Sequence, residues 1–506
     1  MTSDEANEAL RKRAPFVLAL DIGTSSLRAA LFDAAGREVE ATQARLEWSF
    51  ATTREGGAEI DAEWLLAQVE RVIDESLSLI DAGDLPIKAT AVSCFWHTLV
   101  GVDAAGRALT PLFGWAETRA VAEIAELRAR FDEGAAHART GCRFHPGYWP
   151  AKLLWLKGEQ PEIWRTVARW LSFGEFLMLR FCGVAAASVS QASATGLFDQ
   201  QYCIWDDELL AGLDIGSDQL PSLAPDAHTD FHLTDSYAAR WPQLRARPWF
   251  AAIGDGVANN VGAHCVKRNA LALMIGTSGA MRVLYEGEPP ARLPASLWCY
   301  RLDRRRVIVG GALSDGGWLY SWMRDALNFS ALQFDDDAVE RELTLLPPDA
   351  HGLTILPFWA GERSTNWNAH ARGAICGLTM HTRPIEILRA AMEAVAYRFA
   401  HIARALDEFV PRAEIRASGG ALSSSPVWTQ MLADVLARPV KLSLAREASS
   451  RGAALLALES LGVINELPDT NGETSCTTFN PDMEAHARYR AGLERQELVY
   501  QSLLQE

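Results

Sequence analysis

Phe16-Val-Leu-Ala-Leu-Asp-Ile-Gly-Thr-Ser-Ser-Leu-Arg-Ala-Ala-Leu-Phe32 consists of two apolar runs parted by a small polar turn. Phe16 to Asp21 reads as a strand, Ile22-Gly-Thr-Ser25 as a turn and Ser26 to Phe32 as a second strand. Asp33-Ala-Ala-Gly36 then turns into a third strand, Arg37 to Glu40. The glycine-bearing turn thus joins strand to strand. A P-loop or Rossmann turn opens a helix instead, and neither Gly-x-x-x-x-Gly-Lys-Ser/Thr nor Gly-x-Gly-x-x-Gly occurs in the chain.

The same design returns in Leu271-Ala-Leu-Met-Ile-Gly-Thr-Ser-Gly-Ala-Met-Arg-Val-Leu284. Ile275 lies 253 positions beyond Ile22, half of the 506-residue chain, which predicts two related halves. Each half presents one Gly-Thr-Ser turn, so a ligand with a chain of phosphates fits between them. The boundary is expected near Arg247-Pro248, giving units 14–247 and 248–506. Ile385, Leu388, Met392, Val395, Phe399, Ile402 and Leu406 step by three and four, which predicts one buried stripe on a long helix after Pro384. Gly419-Gly420 separates a short strand, Glu414 to Ala417, from a helix over Val427 to Ala437. Asn465 to Asn480 is polar and reads as a loop.

With 48 Lys+Arg against 64 Asp+Glu, the net charge of −16 argues against nucleic acid or an anionic membrane as the main partner. Hydrophobic residues make up 49% of the chain, ample for large cores and incompatible with general disorder. The stretch from Met1 to Pro15 is polar, and the apolar run behind it is too short for a signal peptide or a membrane span, so a cytoplasmic protein is expected. The eight cysteines contain no Cys-x-x-Cys pair and are read as reduced thiols.

Several residues invite chemistry. Asp21 ends a strand at a glycine turn with Thr24, Ser25 and Ser26 beyond it; Gly23 would let phosphate oxygens approach, and the aspartate could hold Mg2+. An ordinary hairpin with Asp as its cap is the alternative. Arg28 reaches either a transferred phosphate or solvent. Asp255 lies between Gly254 and Gly256, which would let substrate approach a carboxylate able to take a hydroxyl's proton; a helix N-cap is the other reading. Trp96-His97 and Trp115-Ala-Glu-Thr-Arg119 combine aromatic rings, a carboxylate and a guanidinium, a set suited to a polyhydroxylated or acidic substrate. Core tryptophans and surface ion pairs would explain them equally. Gly361-Glu-Arg-Ser364 and Asn366-Trp-Asn368 form a polar turn that could line a cleft.

In this order the segments resemble the FGGY family of carbohydrate kinases, over roughly Phe16 to Gly462. The most specific part is Gly373-Ala-Ile-Cys-Gly-Leu378 followed by Glu386-Ile-Leu-Arg-Ala-Ala-Met-Glu393, similar to the family's C-terminal signature. The resemblance implies an α/β, two-domain actin/RNase H-like ATPase fold with ATP and sugar in the interdomain cleft. By the same resemblance Asp255 is the catalytic base, Asp21 lies at the Mg2+ end, and Thr24 and Ser25 flank the transferred phosphate. Gly276, Thr277 and Ser278 hold ADP phosphates, Gly311 lies beside the nucleotide, and Gly419, Gly420 and Ser424 pack on adenosine. Trp96, His97, Glu117 and Arg119 face the sugar; Glu117 departs from the family's Trp-x-Asp-x-Arg.

Three segments resemble gluconate kinases most closely: Phe144-His-Pro146 ahead of Lys152-Leu-Leu-Trp-Leu-Lys157, Ser193 to Asp199 with Trp205-Asp206, and Gly361-Glu-Arg363 with Trp367-Asn368. The implied activity is transfer of the γ-phosphoryl group of Mg-ATP to a hydroxyl of a sugar or sugar acid, gluconate first and a ketopentose such as xylulose next. Competing readings are an actin-like or chaperone-like ATPase without a sugar acceptor and a silent sugar-binding regulator. A homodimer is compatible with the resemblance.

Overall fold

The computed structural model describes residues 12–80, 85–225, 231–329, 335–443, 447–469 and 476–504; most of the polar N-terminal stretch read for targeting lies outside them. In the first half β1 (Phe16–Ile22) and β2 (Ser26–Phe32) form the expected antiparallel hairpin, with Asp21 opposite Arg28. The third strand is β3 (Ala44–Glu47) rather than 37–40: the turn after Phe32 yields one isolated bridge to Glu38, then a short 3-10 turn, before pairing with β2 resumes. Helix α1 (Ala62–Ser78) starts on Asp61, whose carboxylate accepts from the amides of Glu63 and Trp64. It leads back to β4 (Ile87–Cys94), which runs parallel to β1. After a large insertion that includes α2 (Trp149–Glu159), β5 (Ile253–Gly254) adds to the far edge of β4. The first sheet therefore has the order β3-β2-β1-β4-β5 and takes a strand from beyond the expected 247/248 boundary.

The chain continues from β5 directly into α3 (Asp255–Gly262), then into a second hairpin, β6 (Ala270–Ile275) and β7 (Gly279–Glu286). β8 (Trp298–Arg301), β9 (Arg306–Leu313) and α4 (Gly317–Ala326) follow, and then the long helix α5 (Pro384–Leu406). Every position of the stripe from Ile385 to Leu406 is buried, packed on Leu271, Leu273 and Ile275 of β6 and Met281 and Val283 of β7. β10 (Glu414–Ser418), α6 (Gly420–Ser424), α7 (Pro426–Leu436), β11 (Val440–Ser443), α8 (Ala448–Ser460), β12 (Cys476–Phe479) and α9 (Met483–Leu504) complete the chain. The second sheet has the order β8-β9-β7-β6-β10-β11-β12. Its middle five strands repeat the first sheet's order and directions, so the duplication seen in two turns extends to whole sheets. Of the expected loop over 465–480, residues 465–469 are loop, Cys476–Phe479 form β12 instead, and residues 470–475 lie outside the description.

β1 is buried along its whole length because both faces are covered, which is why it reads as a continuous apolar run rather than an alternating one. Leu18 and Leu20 pack under Leu65, Leu66, Val69 and Ile73 of α1. The opposite face presents Val17, Ala19, Ala30 and Ala91 to Ala453, Ala454, Ala457 and Leu458 of α8. A helix from the second half thus covers the first sheet, and small side chains on both surfaces allow close approach.

α8 also crosses α3, and there the two backbones touch. A Cβ on Gly262 would stand 1.8 Å from the carbonyl oxygen of Ala448, and one on Gly452 would stand 1.8 Å from that of Ala258. Gly452→Ala is expected to destabilise the protein by about 3 kcal/mol. Gly158→Ala, in α2 with nothing within 4 Å of the added carbon, should instead stabilise it by about 0.5–1 kcal/mol. Urea unfolding midpoints at constant slope check both.

Candidate active site

Each hairpin turn is held from outside. In the first, the Gly23 amide donates to the Ser26 carbonyl at 3.0 Å and the Trp48 indole donates to the Gly23 carbonyl at 3.0 Å. In the second, the Gly276 amide donates to the Ser278 carbonyl at 3.0 Å, and the first amides of α4, Gly317 and Trp318, cap the carbonyls of Gly276 and Thr277 at 2.8 and 3.1 Å. Both turns open into one cleft of about 900 Å³ between the halves, lined by Thr24 and Ser25 from one side and Thr277 and Ser278 from the other. None of these four side chains hydrogen-bonds another described residue, so their hydroxyls are available to phosphate oxygens. Gly276 shapes its turn without lining the cleft itself.

Ser418, Gly419, Gly420 and Ser423 form a shelf beside the second turn. Gly419 has φ +105°, and a Cβ there would stand 2.3 Å from the Ile275 carbonyl oxygen, so only glycine permits the strand-to-helix step. Ser424, expected on this shelf, is exposed outside the lining; Ser423 takes the place, one residue earlier on the short turn of α6. Gly311 is also outside the cleft. Its missing side chain makes room for Ile402 of α5, whose carbons would lie 2.7–2.9 Å from an added Cβ.

Three carboxylates converge on the cleft: Asp21, Asp255 and Glu447. Asp21 Oδ1 accepts from Ser93 Oγ at 2.9 Å and Oδ2 from Arg28 Nη1 at 3.2 Å. The same Arg28 nitrogen lies 2.5 Å from Glu447 Oε2, at the start of α8, so one guanidinium joins carboxylates of the two halves. Burial pushes the Asp21 carboxyl up to about 6 against the pull of Arg28 and Ser93, with Asp255 and Glu447 adding repulsion. Asp255 is the first residue of α3, with Gly254 rather than Asp255 at the N-cap, and its Oδ1 accepts from the Gly256 amide at 2.8 Å. Burial raises its carboxyl above the ordinary range, and Arg282 opposes that most strongly among the charges.

The glycines flanking Asp255 serve a neighbour rather than the substrate. Carbons added at Gly254 and Gly256 would stand 1.8 and 2.5 Å from the Trp96 ring, so this pair receives the indole beneath the carboxylate. Trp96 Nε1 donates to the Ser190 carbonyl at 3.1 Å. His97 follows with φ 68°, a left-handed backbone uncommon for a side-chain-bearing residue. Its Nδ1 donates to the Ala194 carbonyl at 2.7 Å, and burial lowers the imidazole to about 3, so the ring is neutral with Nε2 left as an acceptor. Tyr148, Trp298, Tyr300 and Trp367 complete an aromatic wall, with Trp298 and Tyr300 stacked at 4.2 Å and the Tyr148 and Tyr300 hydroxyls 2.5 Å apart.

Glu117 and Arg119 are not in the cleft. Glu117 is fully buried and accepts from Ala58 N at 3.2 Å and from Arg119 Nε and Nη2 at 2.9 and 2.6 Å. Arg119 also pairs with Glu59 and lies 4.8 Å over the Trp155 ring. The pair ties its own turn to Ala58 and Glu59. Lys152 works similarly: its buried Nζ donates to the carbonyls of His97 and Gly114 at 2.6 and 2.7 Å, pinning the segments that carry His97 and Trp115. Reasoning from sequence missed Arg282, Glu447, Tyr148 and Tyr300. Arg282 stands four residues after Ser278 of the second Gly-Thr-Ser turn, a signal that was available; nothing local marked the others.

The chain matches two family models, the N-terminal domain of the FGGY family of carbohydrate kinases over residues 16–262 and the C-terminal domain over residues 271–461. It is 28% identical over 486 residues to a gluconokinase of Bacillus licheniformis, covering 94% of this chain and 93% of that protein. Among solved structures it is similar to a ligand-bound xylulose kinase from Lactobacillus acidophilus, with a TM-score of 0.88 at 25% identity over 97% of this chain and 99% of the other. It is likewise similar to a gluconate kinase from Lactobacillus acidophilus, with a TM-score of 0.85 at 26% identity over 96% and 98%.

The raised Asp21 carboxyl has a thermodynamic consequence. Between the ordinary value of 3.8 and about 6 the folded protein holds a proton that the unfolded chain has released, so this group's contribution to stability falls as pH rises through that window. Asp21→Asn should therefore gain stability over the parent as pH is raised from about 4 to about 7, reaching roughly 1–3 kcal/mol and then levelling off. Urea unfolding of both proteins across that range is the measurement.

Proposed function

Because the chain belongs to the FGGY family of carbohydrate kinases, and is thereby a sugar kinase, we propose that it phosphorylates a terminal hydroxyl of a sugar acid, D-gluconate foremost, with ATP as donor. The observation that carries the reading is a carboxylate, Asp255, that lines the same cleft as both Gly-Thr-Ser turns and stands over Trp96 of the aromatic wall. The triphosphate would lie between Thr24-Ser25 and Thr277-Ser278, with adenosine on the Ser418–Gly420 shelf. Phosphoryl transfer asks little covalent help of a protein; positioning and charge decide the rate. Asp255 would accept the hydroxyl proton as the new O–P bond forms, and Arg282 would keep the carboxylate ionised between turnovers.

Asp21 suits a divalent cation. It offers hard carboxylate oxygens on the cleft wall, and the mutual repulsion with Asp255 and Glu447 is what a cation would relieve. When bound, Mg2+ supplies positive charge to the donor's phosphate oxygens. His97 Nε2 and Asn259, whose buried Oδ1 has no partner among the described residues, would accept from substrate hydroxyls. The gluconokinase relatives support the sugar acid; the likeness to a xylulose kinase structure supports a ketopentose as the second reading. An ATPase without acceptor leaves the aromatic wall beside Asp255 without a purpose.

Coupled ADP release across gluconate, xylulose, ribulose and glycerol tests the substrate, with gluconate expected to give the highest kcat/KM. Asp255→Asn should lower kcat by at least about 10²-fold while leaving the KM for ATP within a few-fold of the parent. Near-normal turnover in that variant would remove Asp255 as the base. The acid limb of the kcat/KM profile should lie above the ordinary carboxylate range, because burial raises this group.

A further inference from the structure

Four arginines line the cleft, and two of them have carboxylate partners: Arg28 with Asp21 and Glu447, and Arg45 with Glu47. Arg282 and Arg363 have none among the described residues. His97 and His145 are both lowered to about 3 by burial and carry no charge. The acceptor end of the cleft thus holds two guanidinium charges against one carboxylate, Asp255. Its donors are also in surplus. Arg282 Nε, Arg363 Nε and Trp367 Nε1 are buried and make no hydrogen bond with the described residues, a costly state that a ligand with several acceptor oxygens would relieve.

The two arginines differ in what already holds them. Arg282 lies at the base: its Nη1 contacts the Gly256 carbonyl at 3.4 Å, and Asp255 is its strongest charge neighbour. Arg363 is fixed for another task. Its Nη2 donates to the Leu313 carbonyl at 2.9 Å, and its guanidinium lies 4.6 Å over the Trp115 ring, which leaves Nε, Nη1 and the second Nη2 hydrogen without a partner among the described residues. Trp367 belongs to the same turn, its amide donating to the Arg363 carbonyl at 2.8 Å. Asp255 and Asp315 act on Arg363 only at longer range.

We infer that Arg363, backed by Trp115 and accompanied by the Trp367 indole, reads the carboxylate of an open-chain sugar acid whose far hydroxyl faces Asp255. A guanidinium offers a carboxylate two parallel donors only along an edge that includes Nη2, and the second Nη2 hydrogen with Nη1 or Nε supplies such an edge here, whereas a neutral hydroxyl fills only one donor. The inference rests on the sugar-acid reading above and assigns which residue creates that preference.

D-Gluconate and D-glucitol test it, since they share a carbon chain and differ by a carboxylate against a CH2OH group. The parent enzyme should prefer gluconate in kcat/KM by at least roughly 10-fold. Arg363→Gln should cut the gluconate-to-glucitol ratio by roughly 10- to 100-fold, mostly through KM, and Arg363→Lys should keep part of it because charge survives without the fork. Calorimetric titration of gluconate into Asp255→Asn and into Asp255→Asn/Arg363→Gln should show a similar loss in affinity without any turnover. If gluconate is a good substrate but Arg363→Gln leaves the ratio intact, or lowers both substrates alike, the assignment of Arg363 falls alone. If gluconate is neither bound nor phosphorylated, the sugar-acid reading falls and takes this inference with it. Should Arg363→Gln not fold, a full parental ratio in Arg363→Lys, or a ratio near one in the parent, overturns the inference.

Discussion

Counting β5 and the α3 that continues from it with the first sheet they extend, the distance between the two halves is set by backbone against backbone where α3 crosses α8. Gly262 and Gly452 bring helix carbonyls to within reach of the opposite Cα atoms, a separation that any side chain would widen. α3 begins with Asp255 and α8 begins beside Glu447, so the crossing that joins the halves also sets where two of the three cleft carboxylates stand. Helices meeting through glycine have few soft contacts to rearrange, and position errors at the crossing are passed along α3 to the carboxylate. The remaining geometry, including the facing turns, follows from two sheets of one topology mounted on this axis.

Charge in the cleft is arranged in opposite senses at its two ends. At the turn end Asp21 and Glu447 share Arg28, leaving a net negative site that a divalent cation would balance. At the aromatic end two guanidinium groups outnumber Asp255 while both histidines stay neutral. Such separation is costly in an empty cleft and is relieved by ligands of complementary sign. The raised carboxyl of Asp21 expresses the same cost as a proton affinity.

The fold was largely legible because the signals were local or repeated: two Gly-Thr-Ser hairpins, the stripe from Ile385 to Leu406, and the glycine pair after Glu414–Ser418. The lining of the cleft was legible where it is built from a turn, as with Asp21, Thr24, Ser25, Thr277, Ser278 and Gly419. It was misread where one residue's meaning depends on a distant partner. Glu117 and Arg119 look like substrate ligands until each is seen to satisfy the other; Gly311 looks like a nucleotide neighbour until Ile402 fills the space. The glycines around Asp255 looked like an opening for substrate, and their space is taken by Trp96, 158 residues before Gly254. Glu447 carried no local mark because its role comes from meeting Arg28 across the cleft.

The seating of α8 on the first sheet has a bearing on how this architecture came to be indivisible. Although the two sheets repeat one topology, the first borrows its fifth strand from residues 253–254 and the cover of one face from residues 448–460. A fragment cut at the point where the sequence suggests separate units would leave Val17, Ala19, Ala30 and Ala91 bare and the edge of β4 unpaired, a surface prone to join another copy of itself. The first sheet thus completes neither its edge nor that face from the first 247 residues, and the cover it needs arrives only with the last quarter of the chain.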